Sequence, residues 1–289
     1  MLLSRDAAGW PGHVVRHPRN VPVKVVLFCG GQGTRLRDHN DALPKPMVPI
    51  GPRPIIWHLM KYYAYFGHTE FILCLGYKSE VIKEYFLRYN EWVSNDFVLS
   101  DSGRDLRLLG ADMADWQITF VDTGIDATIG ERLKAVEKHV GEAQVFLANY
   151  ADGLSDLSLP TYIDAFNRRN ATAAFLAVHS PQSFHVARID DRDQCTAIEP
   201  LSDSEIWING GYFIFRREIF SHIERGEDLV FEPFSRLIAA ESLMAYRYRG
   251  FWQAMDTFKD RQALEDLYQR GEAPWLVWKR PQAPQVASG

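Results

Sequence analysis

The chain has 289 residues, 46% of them hydrophobic, and a formal net charge of −5 at pH 7. This length and apolar content suffice for a sizeable core in one large domain or two closely packed ones. The acidic balance argues against a basic nucleic-acid-binding surface, and no apolar run approaches the roughly 18 residues that a membrane span needs.

Cysteine usage indicates a reducing compartment. Cys29, Cys74 and Cys195 are widely spaced and form no Cys-x-x-Cys pair. Cys29 and Cys74 end apolar runs, so we expect them to be buried free thiols. The N-terminal residues lack the continuous apolar stretch of a signal peptide. We therefore expect a cytoplasmic enzyme or binding protein with neither a membrane nor a nucleic-acid partner.

In chain order, residues 1–21 are predicted to form an irregular arm, after which strand and helix patterns alternate. The predicted strands cover 23–29, 70–75, 117–121, 145–149 and 172–178, and the predicted helices cover 54–66, 81–89 and 161–169. Such alternation predicts βαβ units around a largely parallel sheet. In that architecture ligands bind beyond the carboxyl ends of the strands.

Beyond residue 180 the pattern changes to a substrate-side region built onto the sheet. Short strands are predicted at 186–189 and 211–215, and helices at 231–240 and 260–268. Residues 22–280 are therefore expected to form a single domain, followed by a disordered tail at 281–289. The aromatic stretch at 274–278 looks exposed and is a candidate subunit contact, although such clusters more often form local core.

A glycine-rich stretch, CGGQGTRL at 29–36, directly follows the first predicted strand. It is not a Walker A motif, and Leu36 stands where a dinucleotide fingerprint needs its third glycine. Glycines still let main-chain N–H groups surround anionic oxygens, and Thr34 and Arg35 add a hydroxyl and a guanidinium that hold phosphate. Lys45, fixed between two prolines, is expected to complete the same anion site. Taken alone, the stretch also fits a surface loop with incidental charge.

This stretch and the following PKPMVPIG resemble the opening of the sugar-1-phosphate nucleotidyltransferases. Later segments resemble, more narrowly, the glucose-1-phosphate cytidylyltransferases: RPIIWHLMKYYAYFG, GYKSEVIKEYF, VDTG, INGGYFIF, FWQAMDT and APWLVWKR. The similarity covers about residues 23–279, with the motifs in order. It implies an α/β fold of the nucleotide-diphospho-sugar transferase type, with a Rossmann-like, mostly parallel central sheet flanked by helices. Residues 22–180 would be its nucleotide-binding part, and residues 181–280 a smaller β-rich sugar-binding and C-terminal part.

The reaction that the resemblance implies is nucleotidyl transfer. An oxygen of a sugar 1-phosphate attacks the α-phosphorus of a nucleoside triphosphate, expected to be CTP, and pyrophosphate leaves. Because the nucleophile is already an anion, positioning and electrostatic stabilisation carry the reaction. By resemblance the protein self-associates into a homo-oligomer and serves polysaccharide or deoxysugar biosynthesis.

The resemblance also implies the site residues. Arg35 and Lys45 are the expected catalytic residues, and Mg²⁺ is the expected cofactor, held by Asp152 and Asp256. Either aspartate alone would be interpreted as a turn residue or a cap. The expected nucleotide-binding residues are Leu27, Gly30, Gly31, Gly33, Thr34, Gly76, Thr123, Arg132 and Asp152. The expected sugar-phosphate-binding residues are Glu199, Asn209, Gly210 and His185.

Two departures from the family pattern lie on the acceptor side. Pro200 stands where the family has the lysine of a Glu-Lys-Pro element, and His185 stands where it has a glycine. Arg188 and Arg192 are candidates to replace that lysine. Because the phosphate loop and the metal carboxylates keep the family pattern, we interpret the departures as a change of acceptor.

A third departure concerns the base. Glu131 and Ala135 differ from the GGRLKR pattern of the cytidylyltransferases, which weakens the assignment of CTP over UTP or dTTP. Two alternatives stay open: a catalytically inactive paralogue that binds a nucleotide sugar and regulates a partner, and transfer to a non-hexose phosphorylated acceptor.

Overall fold

The computed structural model describes residues 22–31, 43–180 and 184–279. The helices are α1 (Ile55–Tyr65), α2 (Ser79–Leu87), α3 (Ile129–Ala135), α4 (Glu137–Val140), α5 (Leu159–Asn167), α6 (Glu232–Ala239) and α7 (Phe258–Gln269). The strands are β1 (Val25–Phe28), β2 (Pro49–Ile50), β3 (Arg53–Pro54), β4 (Glu70–Leu75), β5 (Phe97–Ser100), β6 (Asp105–Leu108), β7 (Gln117–Asp122), β8 (Val145–Tyr150), β9 (Gly153–Ser155), β10 (Ala173–Val178), β11 (His185–Ile189), β12 (Cys195–Pro200), β13 (Ile208–Asn209), β14 (Phe213–Arg216), β15 (Leu243–Tyr248) and β16 (Trp252–Ala254).

Within these ranges, eight strands form one sheet in the order β13-β10-β14-β8-β1-β4-β7, with β15 on the other side of β10. β1 runs parallel to both β4 and β8, β4 to β7, and β10 to β15. β14 is antiparallel to both β8 and β10, so β8 and β10 share one direction. The predicted mostly parallel sheet is therefore confirmed, and the carboxyl ends of six strands meet at one edge.

Both faces of the sheet are covered, which explains why β1 is a continuous apolar run. All four of its residues are buried. Val25 and Leu27 face the cluster that contains α1, α5 and α7, whereas Val26 and Phe28 face the cluster that contains α3 and α6. A strand buried on both faces carries no alternating pattern, as is typical of parallel sheets between helix layers.

Several elements were not predicted from the sequence. The periodicity gave no indication of α3, of the hairpin β5–β6, or of the pair β9–β16. The expectation of an exposed stretch at 274–278 is wrong: Trp275 and Val277 are buried, and Trp275 stacks on Phe251 within the core. The hydrophobic positions of this stretch fill the end of the α1 layer.

The remaining predictions concern the cysteines, membrane spans, the chain termini and the division of the domain. Cys29 and Cys74 are buried free thiols, as predicted. None of the helices in the described ranges has the length and apolarity needed to cross a bilayer. The expected arm at 1–21 and tail at 281–289 lie outside those ranges, and the division of the domain at residue 180 stays a prediction.

Candidate active site

A cavity of about 310 Å³ opens at the carboxyl ends of β1 and β8. It is lined by Phe28, Cys29, Gly30, Gly31, Lys45, Pro46, Ile129, Tyr150, Ala151, Asp152 and Asp256. Parallel strands place their following loops side by side, so residues far apart in sequence meet here.

Arg132 of α3 holds together the loops next to this cavity. Its side chain is buried, and its guanidinium donates hydrogen bonds to four main-chain oxygens and one hydroxyl. The acceptors belong to the ends of three strands and the loop after β7: Gly30, Leu75, Thr123 (Oγ1), Gly124 and Ile125. A Cβ on Gly30 would overlap with this guanidinium, so only glycine fits there.

The start of α3 is also fixed by its side chains. Thr128 Oγ1 accepts a hydrogen bond from the main-chain N–H of Glu131, and the Glu131 carboxylate accepts one from the N–H of Thr128. This reciprocal capping box satisfies two otherwise free donors of the first turn. Glu131, a departure from the family pattern, is thereby explained as a capping residue.

Lys45 lies between the two predicted metal carboxylates. Its Nζ forms an ion pair with Asp152 and lies 2.6 Å from Oδ1 of Asp256. Burial alone would lower the pKa of Lys45, but the attraction of Asp152 and the hydrogen bonds to both carboxylates outweigh it and raise the pKa above its ordinary value. The ammonium therefore stays charged across the physiological range. Lys45–Met47 forms a single 3₁₀ turn, consistent with the prolines around it.

The donor set at this point suits magnesium. Asp152 and Asp256 converge within reach of one cation and both line the cavity. Magnesium takes one or two carboxylates together with substrate phosphates and water. In the described ranges no cluster of three or more histidine, cysteine, aspartate or glutamate side chains forms a metal site of the protein's own. A site completed by substrate phosphates is the arrangement that fits.

Tyr150 and Trp252 connect the cavity to the expected acceptor side. The hydroxyl of Tyr150 accepts a hydrogen bond from Nδ2 of Asn209 at 3.4 Å, and burial raises the pKa of Tyr150 to about 12. The indole N–H of Trp252 donates to the carbonyl of Gly210 at 2.8 Å. Asn209 and Gly210 thus lie next to the residues that follow β8.

The hairpin β11–β12 carries the other expected sugar-side residues. His185 pairs with Pro200 across the ladder, so the two acceptor-side departures face each other. Arg188 forms an ion pair with Glu199 at 3.1 Å, and Arg192 lies exposed in the connecting turn. Arg188 is therefore already engaged by a carboxylate.

The other predicted residues divide into three groups. Gly31 lines the cavity, and Gly76 and Thr123 pack around the Arg132 guanidinium. Leu27 is wholly buried in the core and does not line the cavity, and Arg132 likewise turns its donors to the loops. Gly33, Thr34 and Arg35 lie outside the described residues.

Sequence reasoning missed Tyr150 and Ile129 as cavity-lining residues. Tyr150 had a usable signal, because it immediately precedes the Ala-Asp-Gly turn at a strand end. Ile129 had none, since α3 itself was not predicted.

Comparison with known proteins agrees with this geometry. A family model described as nucleotidyl transferase matches residues 24–260. The chain is 36% identical over 258 residues, covering 89% of this chain and 100% of each relative, to a probable glucose-1-phosphate cytidylyltransferase of Bacillus subtilis and to glucose-1-phosphate cytidylyltransferase of Salmonella typhi.

The fold recurs in solved structures. UDP-glucose pyrophosphorylase complexed with UDP-glucose superimposes with a TM-score of 0.64 at 14% identity, over 87% of this chain and 100% of that one. An identity this low supports the fold alone. The family match and the two relatives together establish that the chain belongs to the nucleotidyl transferase family, as a sugar-1-phosphate nucleotidyltransferase.

Proposed function

We propose that this protein transfers a cytidylyl group from CTP to a hexose 1-phosphate, glucose 1-phosphate being the first candidate, with magnesium as cofactor. One observation carries the proposal: Asp152, Asp256 and Lys45, from three separate parts of the chain, converge in the cavity beneath Gly30 and Gly31. The names of the two 36% identical relatives support CTP and glucose 1-phosphate as substrates.

The chain's own residues supply charge and position in this proposal. Gly30 and Gly31 line the cavity, and their main-chain N–H groups would bind the triphosphate. Lys45 stabilises the negative charge that moves onto the leaving pyrophosphate, and Arg35 acts with it. No general base is required, since the attacking phosphate oxygen is ionised.

Magnesium, held by Asp152 and Asp256, would lessen the repulsion between the two substrates' phosphates. The two carboxylates would then share their contacts between Lys45 and the metal. The Lys45 ammonium, held less tightly by the carboxylates, would be available to the substrate phosphates.

Pyrophosphate release tests the proposal directly. We expect turnover with CTP and glucose 1-phosphate to exceed that with UTP, dTTP, ATP or GTP, and EDTA to abolish it. Asp152→Asn and Asp256→Asn should each lower kcat/KM on the order of 10²-fold, comparable with losing one preorganised electrostatic contact. Asp164→Asn is the matched control, because Asp164 is exposed on α5 away from the cavity.

Two results would contradict the proposal. Tight nucleotide binding without pyrophosphate release from any substrate pair would identify a regulatory paralogue. Equal losses of kcat/KM in Asp256→Asn and Asp164→Asn would show that the carboxylate pair has no role in the reaction.

Self-association and a cytoplasmic location stay predictions. The hairpin β5–β6 offers a surface for self-association, since Phe97, Leu99 and Leu106 on it are exposed. Size-exclusion chromatography with light scattering would measure the oligomeric state.

A further inference from the structure

A second cavity, of about 210 Å³, lies at the same edge of the sheet but at the ends of β10 and β15. It is lined by Val178, His179, Tyr248, Arg249, Gly250 and Trp252. Val178 pairs with Tyr248 in the parallel ladder, so His179 and Arg249 are the next residues beyond it on adjacent strands. The topology therefore places an imidazole and a guanidinium side by side.

The Arg249 guanidinium makes this cavity cationic, and an aromatic side chain packs against it. The guanidinium carbon of Arg249 lies 5.3 Å from the ring centroid of Trp207, and the His179 ring lies 4.0 Å from Trp207 between centroids. Arg247 packs on the same indole at 5.7 Å but does not line the cavity. Stacking on an indole holds a guanidinium in place while leaving its in-plane donors available.

These polar groups have unused hydrogen-bonding capacity. Both ring nitrogens of His179 are buried, and neither has a hydrogen-bond partner in the ranges that the structure describes. In the same ranges Arg249 forms no ion pair with a carboxylate. Buried polar atoms are normally paired, so the unpaired nitrogens of His179 beside a cavity are available to a bound polar group.

Trp252 places this cavity relative to the phosphate centre. Its indole N–H is bonded to Gly210 on one side and lies 3.8 Å from where a Cβ on Gly153, the residue after Asp152, would stand. The second cavity therefore lies beyond Trp252 from the carboxylates, next to the expected sugar-binding residues. In the proposed function, the sugar of an acceptor whose 1-phosphate reacts at Asp152 would extend past Trp252 toward this cavity.

We propose that Arg249 and His179 recognise a second negative charge on the acceptor, a carboxylate or a phosphate carried by the sugar away from its reacting 1-phosphate. The inference rests on the proposed function and narrows its substrate class. A guanidinium binds either group with paired hydrogen bonds, and an imidazole adds a donor. The acceptor-side departures at His185 and Pro200 are consistent with a changed acceptor.

Paired acceptors test the inference in the full-length protein. Glucose 1-phosphate is compared with glucuronic acid 1-phosphate and with glucose 1,6-bisphosphate, which add a carboxylate and a phosphate respectively. With CTP, the wild type should prefer one doubly charged acceptor by kcat/KM, and the preferred one identifies the group. Arg249→Gln should lower that preference ratio at least about tenfold, the effect of losing a charge-assisted hydrogen bond.

Arg247→Gln is the matched control, since Arg247 stacks on the same Trp207 without reaching the cavity. It should leave the preference ratio within about twofold. An unchanged ratio in Arg249→Gln, equal effects in the two variants, or a wild type that prefers plain glucose 1-phosphate would overturn the inference while leaving the transferase function standing.

Acceptor binding, measured by quenching of tryptophan fluorescence, separates this inference from the proposed function. If the wild type releases no pyrophosphate, the proposed function fails. Tighter binding of a doubly charged sugar phosphate that Arg249→Gln weakens at least about tenfold would still support the charge-recognition site. Equal binding of all three sugar phosphates would reject it.

Discussion

At the residue scale, Lys45 sits where a divalent cation would otherwise balance two carboxylates. The ammonium bridges Asp152 and Asp256, and their attraction keeps it charged. A lysine in this position holds the two acids together before substrates arrive. If Asp152 and Asp256 bind magnesium as proposed, Lys45 would compete with the metal for them, and metal binding would be linked to release of the lysine.

Replacing Lys45 should separate its contribution to catalysis from its proposed competition with magnesium for the two carboxylates. In Lys45→Ala we expect kcat/KM to fall on the order of 10²-fold or more. We also expect added magnesium to raise the melting temperature more than in the wild type, because the carboxylates have lost their resident cation and bind the metal more tightly. Lys138→Ala, at an exposed lysine of α4, should change neither quantity. Unchanged turnover in Lys45→Ala would reject the catalytic role, as measured by pyrophosphate release.

Much of this residue set could be predicted from the sequence, because its members lie in short motifs. Lys45 and Asp256 stand in stretches that carry the family resemblance, and Asp152 follows a clear strand. The ion pairs among them could not be predicted, since no local pattern relates the turn after β1 to the segment before α7. The role of Arg132 was equally hidden, because its acceptors become neighbours only through the strand order.

At the element scale, α3 holds together the loops that follow β1, β4 and β7. Arg132 joins the ends of β1, β4 and β7 from below, and the capping box fixes the first turn that carries it. Gly30, just after β1, is therefore required by packing, apart from the phosphate contact proposed for it. Loops held this way are preorganised, which lowers the ordering cost of binding a triphosphate.

Alanine substitutions at two neighbouring glycines distinguish a packing requirement at Gly30 from a general need for a flexible loop. Gly30→Ala should lower the free energy of unfolding by about 1–3 kcal/mol, the typical cost of overpacking, because its Cβ overlaps with the Arg132 guanidinium. Gly31→Ala should change it by less than about 0.5 kcal/mol, since a Cβ there meets no atom of the described residues within 4 Å. Urea denaturation of both variants measures the difference. Equal destabilisation would show that Arg132 can move aside.

At the scale of the whole molecule, the proposed function would assign the two substrates to different halves of the sheet. The loops expected to bind the nucleotide follow β1, β4 and β7, the residues expected to bind the acceptor lie on or just after β10, β13 and β15, and β8 lies between the two groups. The alternation of elements predicted the parallel half well. The sequence also predicted a strand at 211–215, which matches β14, but neither β13 nor the antiparallel direction of the two strands, because short strands around Gly210 and Gly211 leave little periodicity.

The buried histidines should make global stability depend on pH. Burial lowers the pKa of His58 and of His68 to about 4, whereas an unfolded chain binds the proton near pH 6.5. Stability is therefore lost as pH falls from about 6.5 toward 4, and each histidine costs about 2 kcal/mol by pH 5. His68→Asn keeps an acceptor for the N–H of Val23 but cannot titrate. Its unfolding free energy, from urea denaturation at pH 7 and pH 5, should fall by about 2 kcal/mol less than that of the wild type. Equal losses would place the acid sensitivity elsewhere.

In the hairpin β11–β12, His185 pairs with Pro200, and most residues of the hairpin are exposed. Side chains of such an exposed hairpin can be substituted with little effect on the hydrophobic core. If His185 and Glu199 contact the acceptor as predicted, substitutions in this hairpin would change which sugar is accepted while the residues around Asp152 and Asp256 stay the same.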